Sequence, residues 1–258
     1  MGSASREALA AAKSVLDGSL DQAAGSELLA ASAQISGSPA LLSALADASA
    51  DGAAKTALVE RLFGGVSASA RAVLSAAVSQ AWSTPGEFVA GIEELGLRAD
   101  AAVHPELADE LLAAAGTVDS SHELELGLGS KLGDPAAKVA LIERLFNGKL
   151  SPNAVGVISH LVANPRGRRL GAALQESARV AADQGGSELA TVTVAAPLSQ
   201  AQQTRLSELL ERSAGRPVRV TTVVDASLVG GIRIQIGDDV IDGSVRSRLD
   251  DLRLQLAG

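Results

Sequence analysis

An internal duplication constrains this chain more than any other feature, because a repeated segment makes the fold a set of copies before any single element is assigned. Asp51-Gly-Ala-Ala-Lys-Thr-Ala-Leu-Val-Glu-Arg-Leu-Phe-Gly-Gly65 and Asp134-Pro-Ala-Ala-Lys-Val-Ala-Leu-Ile-Glu-Arg-Leu-Phe-Asn-Gly148 are identical at eleven of fifteen positions, at an offset of 83. The same offset carries Glu27-Leu-Leu-Ala-Ala31 onto Glu110-Leu-Leu-Ala-Ala114 and Leu41 onto Leu124. After Phe63 and Phe146 the offset becomes 84, which carries Ser67 onto Ser151 and Leu74 onto Ile158. A one-residue insertion of this kind is cheap in a loop. Two copies of one helical module follow.

Each copy reads as consecutive short helices. Asp51 and Asp134 are placed as N-caps, and Pro135 stands at the first helical position, where a missing N–H is harmless. Val59, Leu62 and Phe63, matched by Ile142, Leu145 and Phe146, fall at i, i+3 and i+4 and predict one core face. Ser67 and Ser151 open the next helix, whose core spacing in the second copy is Val155, Ile158 and Val162. The stretch from Ser83 to Arg98, with Phe88, Ile92 and Leu95 behind the Pro85-Gly86 break, either closes the first bundle or opens the second.

Composition narrows the function. Hydrophobic residues make up 47% of the 258 residues but aromatics only 2%, so the core must be built from Ala, Leu, Val and Ile, as in bundles with close interhelical contacts. No apolar run reaches the roughly 18 residues a membrane helix needs, and no signal peptide is legible, so no direct membrane insertion is expected. There is no cysteine and hence no disulfide or thiolate chemistry. The net charge of −8 divides into −2, −5 and −1 over residues 1–83, 84–185 and 186–258, which argues against a nucleic-acid partner. The one basic cluster, Arg166, Arg168 and Arg169, reads either as a solvated helix start or as a contact patch for an acidic partner.

Beyond Asp183-Gln-Gly-Gly-Ser187 the pattern changes. Leu189 to Ala195 and Pro217 to Val224 are rich in β-branched residues and read as strands. Between them Ser199 and Gln202 form a capping-box signature for a helix with Leu206, Leu209 and Leu210 on its apolar face. Ile232, Ile234 and Ile236 alternate with Arg233 and Gln235, and Gly237-Asp238-Asp239 turns the chain into Val240-Ile241 as a hairpin partner. Val245, Leu249, Leu252 and Leu256 make a narrow stripe on a closing helix, which serves either this domain's own sheet or a partner helix. The expected fold is mainly α: helical modules over residues 1–83 and 84–182, and a small C-terminal α+β domain over 187–258.

A search for chemistry yields little. Gly148-Lys149 is followed by Leu150 and lacks the other residues of a phosphate loop. Gly127, Gly129 and Gly133 have the wrong spacing for a dinucleotide fingerprint. His104, His122 and His160 stand apart, without the i, i+4 pairing that zinc requires. Asp238, Asp239 and Asp242 are explained by a turn and a helix entrance. No enzyme, cofactor or metal is expected.

Val224-Asp-Ala-Ser-Leu-Val-Gly-Gly-Ile-Arg-Ile-Gln-Ile-Gly237, followed by Asp239-Val-Ile-Asp-Gly-Ser-Val245, resembles the C-terminal signature of the ATP synthase delta family. The mitochondrial member of that family is the oligomycin-sensitivity-conferring protein. Ala195-Ala-Pro-Leu-Ser199, Lys138 with Leu141-Ile142, and Asn164-Pro-Arg166 are similar to further family positions. Ser5-Arg-Glu-Ala-Leu9 resembles the opening of the long actinobacterial members. The duplicated module departs from the usual plan of one helical bundle and one small domain.

The resemblance implies a non-catalytic stator subunit of the F-type ATP synthase, peripheral at the cytoplasmic face of the membrane. By that resemblance, the helical region binds N-terminal helices of alpha subunits, in a groove placed in the first copy at Arg6, Leu9, Lys13, Val73 and Val78. The C-terminal domain binds b-type peripheral-stalk subunits through Val245, Leu249, Leu252 and Leu256. A helical-repeat scaffold of an unrelated complex is the alternative reading, and an enzyme is a third.

Overall fold

The computed structural model describes residues 1–18, 20–129, 133–225, 228, 230–237 and 239–243. The chain divides into two compact units, Met1–Ala181 and Ala182–Gly258. In chain order the helices are α1 (Ser3–Lys13), α2 (Ala24–Gly37), α3 (Pro39–Ala46), α4 (Gly52–Leu62), α5 (Ala68–Val78), α6 (Pro85–Val103), α7 (Leu107–Asp119), α8 (His122–Gly129), α9 (Pro135–Phe146), α10 (Pro152–Ala163) and α11 (Leu170–Gln184). The duplication is visible in the starts of these elements, since α2 to α5 recur as α7 to α10 at spacings of 83 and 84.

The expected caps form. Asp51 accepts from the Ala53 amide and Asp134 from the Ala136 amide, while Ser67 and Ser151 accept from Ala70 and Ala154. Each of these satisfies an amide that the first helical turn leaves without a partner. A longer-range tie repeats in both copies. The Glu27 carboxylate accepts from the Ser67 amide at 2.9 Å and the Ser67 hydroxyl at 2.5 Å, and the Glu110 carboxylate accepts from the Ser151 amide at 2.7 Å and its hydroxyl at 2.6 Å. A carboxylate at a helix N-terminus is favoured by the aligned peptide dipoles, so this bond holds the fifth helix of each copy against the second.

Val59 and Phe63, and likewise Ile142 and Phe146, are buried as expected. Leu62 is not: it is 46% exposed, and Leu145 is only half-buried. In α4 the core instead takes Lys55, whose ammonium donates to the Asp47 carbonyl at 3.1 Å, so the buried row runs at i, i+4 and i+8 and leaves Leu62 on its rim.

α6 resolves the ambiguity over Ser83 to Arg98. Phe88, Ile92, Leu95 and Ala99 join the core of α1 to α5, while Glu93 and Asp100 on the same helix meet α10. Buried on nearly every side, it closes the first core and also walls the second module. The division expected at residues 83 and 84 therefore falls at the foot of a helix that serves both modules. Its glycines permit this. A Cβ on Gly96 would lie 3.1 Å from the Gly25 carbonyl oxygen and 3.1 Å from Leu29 Cγ, which sets how closely α2 approaches.

Gly91 carries the indole of Trp82, which is 6% exposed, donates to the Ala77 carbonyl at 2.8 Å and stacks edge-on to Phe88 at 5.8 Å. A methyl group at Gly91 would collide with that ring, so Gly91→Ala is expected to cost about 1–3 kcal/mol by overpacking. The chain has one tryptophan, so the displaced ring should also red-shift its fluorescence. Unchanged emission with unchanged stability would mean that the ring has room to move.

The second unit is a mixed sheet of β1 (Glu188–Val194), β2 (Val218–Val224), β3 (Ile232–Ile236) and β4 (Asp239–Asp242), in the order β2-β1-β3-β4. β1 and β2 are parallel and are joined through α12 (Gln200–Ala214), while β1–β3 and β3–β4 are antiparallel. The reciprocal capping box of Ser199 and Gln202 starts α12, and Gly215 ends it in the left-handed conformation at φ 68°. Ala190, Val192, Val194, Leu210, Val218 and Ile234 form the core. Leu209, expected on the buried face of α12, is 52% exposed, because the stripe that packs on the sheet runs through Leu206, Leu210 and Ala214.

Candidate functional site

In the first module α1 lies against α5 and α6, burying Ser5, Ala8 and Ala12. Its outer side carries Arg6, which is exposed and donates to the Met1 carbonyl at 2.8 Å, with Leu9 and Lys13 half-buried beside it. Ser5 and the Gly2 amide bond to the Glu87 carboxylate at 2.6 and 3.0 Å, which pins the start of α1 to α6. Hydrogen bonding to Ser5 holds the Glu87 carboxyl below the usual range, against a smaller opposing effect of burial.

Val73 and Val78 do not line a groove. Both are fully buried in the first core, because Ala70, Val73, Leu74, Ala77 and Val78 are the inward stripe of α5. The five expected contact residues therefore split: those on α1 reach the surface, and those on α5 support it from inside. The stalk-facing residues Val245, Leu249, Leu252 and Leu256 lie outside the described residues.

Sequence reasoning missed the strongest electrostatic feature of the helical unit. Glu93, with a side chain 5% exposed, accepts from His160 Nε2 at 3.1 Å and from Arg168 Nη1 at 2.8 Å, and it pairs with Arg166. Burial alone would push its carboxyl up. The His160 and Arg168 hydrogen bonds and the two guanidinium charges outweigh that penalty and hold it at about 2. Two members of the basic cluster thus turn inward and are neither a solvated helix start nor a free patch. Arg166 adopts φ 44° and Gly167 φ 78° to make that turn. A positive φ is strained for arginine, and the ion pair to Glu93 offsets the strain.

A second buried carboxylate lies two turns further along the same face of α6. Asp100 accepts from the Asn153 amide at 3.0 Å and sits beside Gly25 at the first turn of α2, so it joins α6 to both α2 and α10. Burial raises its carboxyl above the ordinary value, and Asn153 and His104 offset only part of that effect. Glu93 and Asp100 make the seam between the two modules polar and specific in register. The chemistry available here is hydrogen bonding and ion pairing rather than group transfer.

The family model described as ATP synthase delta (OSCP) subunit matches residues 99–256. An ATP synthase subunit delta from Leifsonia xyli is 47% identical over 264 residues, covering 100% of both chains. The chain belongs to the ATP synthase delta (OSCP) subunit family. Further members from Streptomyces coelicolor and Nocardia farcinica are 36% and 39% identical, over 100% and 99% of this chain and 98% and 97% of their own.

Membership bears out the resemblance read from the sequence and the role of a peripheral-stalk subunit of an ATP synthase, and it removes the reading as a scaffold of an unrelated complex. The chain is thus a subunit of an enzyme complex and a peripheral component of a membrane-bound assembly. Among the described residues no single helix is long and apolar enough to cross a membrane. The matched region begins near the end of α6, so it takes in α7 to α11 and the second unit, while the actinobacterial relatives cover the first copy as well.

Proposed function

We propose that this chain is the non-catalytic adaptor that holds the catalytic head of the F-type ATP synthase to its peripheral stalk at the cytoplasmic face of the membrane. In this reading the helical unit takes N-terminal helices of alpha subunits, with Arg6, Leu9 and Lys13 on α1 in contact. The residues beyond Ala182 take the b-type stalk. The observation that carries the proposal is the division of the chain into two compact units, the first of them two helical modules built around one shared helix. An adaptor that resists rotor torque needs separate attachment surfaces and a stiff body between the contacts on the head. Two linked interfaces of moderate affinity raise overall avidity by roughly 10²–10⁴.

The test is calorimetric titration of the full chain with an alpha N-terminal peptide and, separately, with the soluble part of the b-type stalk. Arg6→Glu combined with Lys13→Glu is expected to weaken peptide binding more than tenfold, because reversed charge at a contact acts repulsively, while stalk binding and helicity stay unchanged. Unaltered peptide affinity would move the contact off α1. A wild-type chain that binds neither partner would overturn the adaptor reading itself.

A further inference from the structure

The two helical modules leave a cleft of about 370 Å³ between α2 and α10. Buried Leu29 and Val157 give it an apolar wall, and Asp100, Asn153 and His160 bring polar groups to it. Two rungs cross from α6 to α10 along this seam, Glu93 to His160 and Asp100 to Asn153. Each helix advances seven residues from one rung to the other, so the rungs stand roughly 10 Å apart. The first copy has no such lining. Ser69, Ala72 and Ala76 occupy the positions of Asn153, Gly156 and His160, although Ala70 and Val73 match Ala154 and Val157.

The polar groups at the cleft are acceptors with capacity to spare. The Asn153 amide nitrogen donates to Asp100 Oδ1, and His104 stands 3.9 Å from the same oxygen. The Asn153 side-chain oxygen and Asp100 Oδ2 therefore have no hydrogen-bond partner among the described residues. His160 donates through Nε2 to Glu93, so its neutral ring keeps Nδ1 as an acceptor. A carboxylate only 2% exposed with one hydrogen bond is a costly arrangement, and burial accordingly raises the Asp100 carboxyl. Arg166 and Arg168 do not relieve it, because both are held by Glu93 at the other rung.

We infer that this cleft binds a short aliphatic diamine, with one ammonium on Asp100 and Asn153, the other on His160, and the methylenes along Leu29 and Val157. An ammonium brings donors and positive charge and no acceptor, which is what these side chains lack. Four methylenes between two ammonium groups, with a hydrogen bond of about 2.9 Å at each end, match the roughly 10 Å between the rungs. An anion would meet the Asp100 charge, and water would satisfy the oxygens without neutralising it. A mostly apolar cleft with a few convergent polar groups and a displaced carboxyl is the usual form of a small-molecule site. The site is independent of the contact proposed on α1.

The test is isothermal titration calorimetry of the full chain with 1,4-diaminobutane, against 1,4-butanediol as the uncharged isostere and potassium chloride at matched ionic strength. The diamine is expected to bind saturably at one site per chain, n-butylammonium at least tenfold more weakly, and the diol and the salt not at all. Asp100→Asn removes the charge and should weaken diamine binding at least tenfold. Gly156→Leu should abolish it in a chain that circular dichroism shows to be folded, since no neighbouring atom lies within 4 Å of a Cβ there and the leucine fills the cleft. Gly116→Leu, at an equally open glycine of α7 outside the cleft, should bind as the wild type does. No saturable heat from the diamine, equal affinity for n-butylammonium, a matching response to the diol or to salt, or unchanged affinity in Asp100→Asn would overturn the inference.

Discussion

Glu93→Gln is expected to destabilise the helical unit by about 3 kcal/mol at neutral pH, the order implied by a carboxyl held at about 2 instead of 4.5. The sign follows from the depressed value. Stability from this group is fully present above the unfolded value near 4.5 and is lost as pH falls towards about 2. Urea unfolding followed by far-UV circular dichroism should therefore show a wild-type midpoint that drops through that acid window and a Glu93→Gln midpoint that is lower at neutral pH and drops less. Removing one partner of a buried pair also leaves the other charges unmatched, here Arg166 and Arg168, which adds to the loss.

Asp100→Asn is the matched control. Burial raises the Asp100 carboxyl, so ionisation already costs the folded state, and a neutral isostere can still accept from Asn153. No loss is expected there at neutral pH. A Glu93→Gln chain as stable as wild type would show that the ion cluster contributes no net stability to the seam.

The two carboxylates mark where sequence reading reached its end. Caps were legible because a cap and its amide lie within three residues, as at Asp51, Ser67 and Ser199. The alternation of Ile232, Ile234 and Ile236 was legible because strand period and burial coincide. Glu93 was not, since its partners lie 67 or more residues away and Glu93-Glu94 on an amphipathic helix reads as a wet face. One signal was present. Gly91 and Gly96 inside one helix lower its intrinsic propensity by about 1 kcal/mol each, which points to close packing on more than one side.

Val73 and Val78 were placed in a groove by the resemblance, and the structure buries both in the first core. Apolar spacing of i, i+3 and i+4 marks a face that must be covered, but it does not say whether a partner or the chain's own core covers it. Leu62 and Leu209 erred in the opposite direction, as the outermost residues of stripes whose centres are Val59 and Leu210.

Ile234→Asp is expected to unfold the second unit and leave the first intact. Ile234 is 7% exposed on a central strand, paired in register with fully buried Val192 on one side and Ile241 on the other. The nearest cation along the strand, Arg233, belongs to the opposite face and is bound to Asp242 at 2.9 Å. A carboxylate at position 234 would therefore be buried without a partner, at a cost of about 3–5 kcal/mol. A core of this size rarely supplies more than about 3–5 kcal/mol, so the change removes most of what holds the sheet. Trp82 lies in the first unit and reports on it alone. The expected result is an unchanged urea transition by tryptophan fluorescence together with rapid protease cleavage beyond residue 187. Native protease resistance in the variant would mean that Ile234 does not face the core. A fluorescence transition that shifts with the mutation would mean that the two units unfold as one.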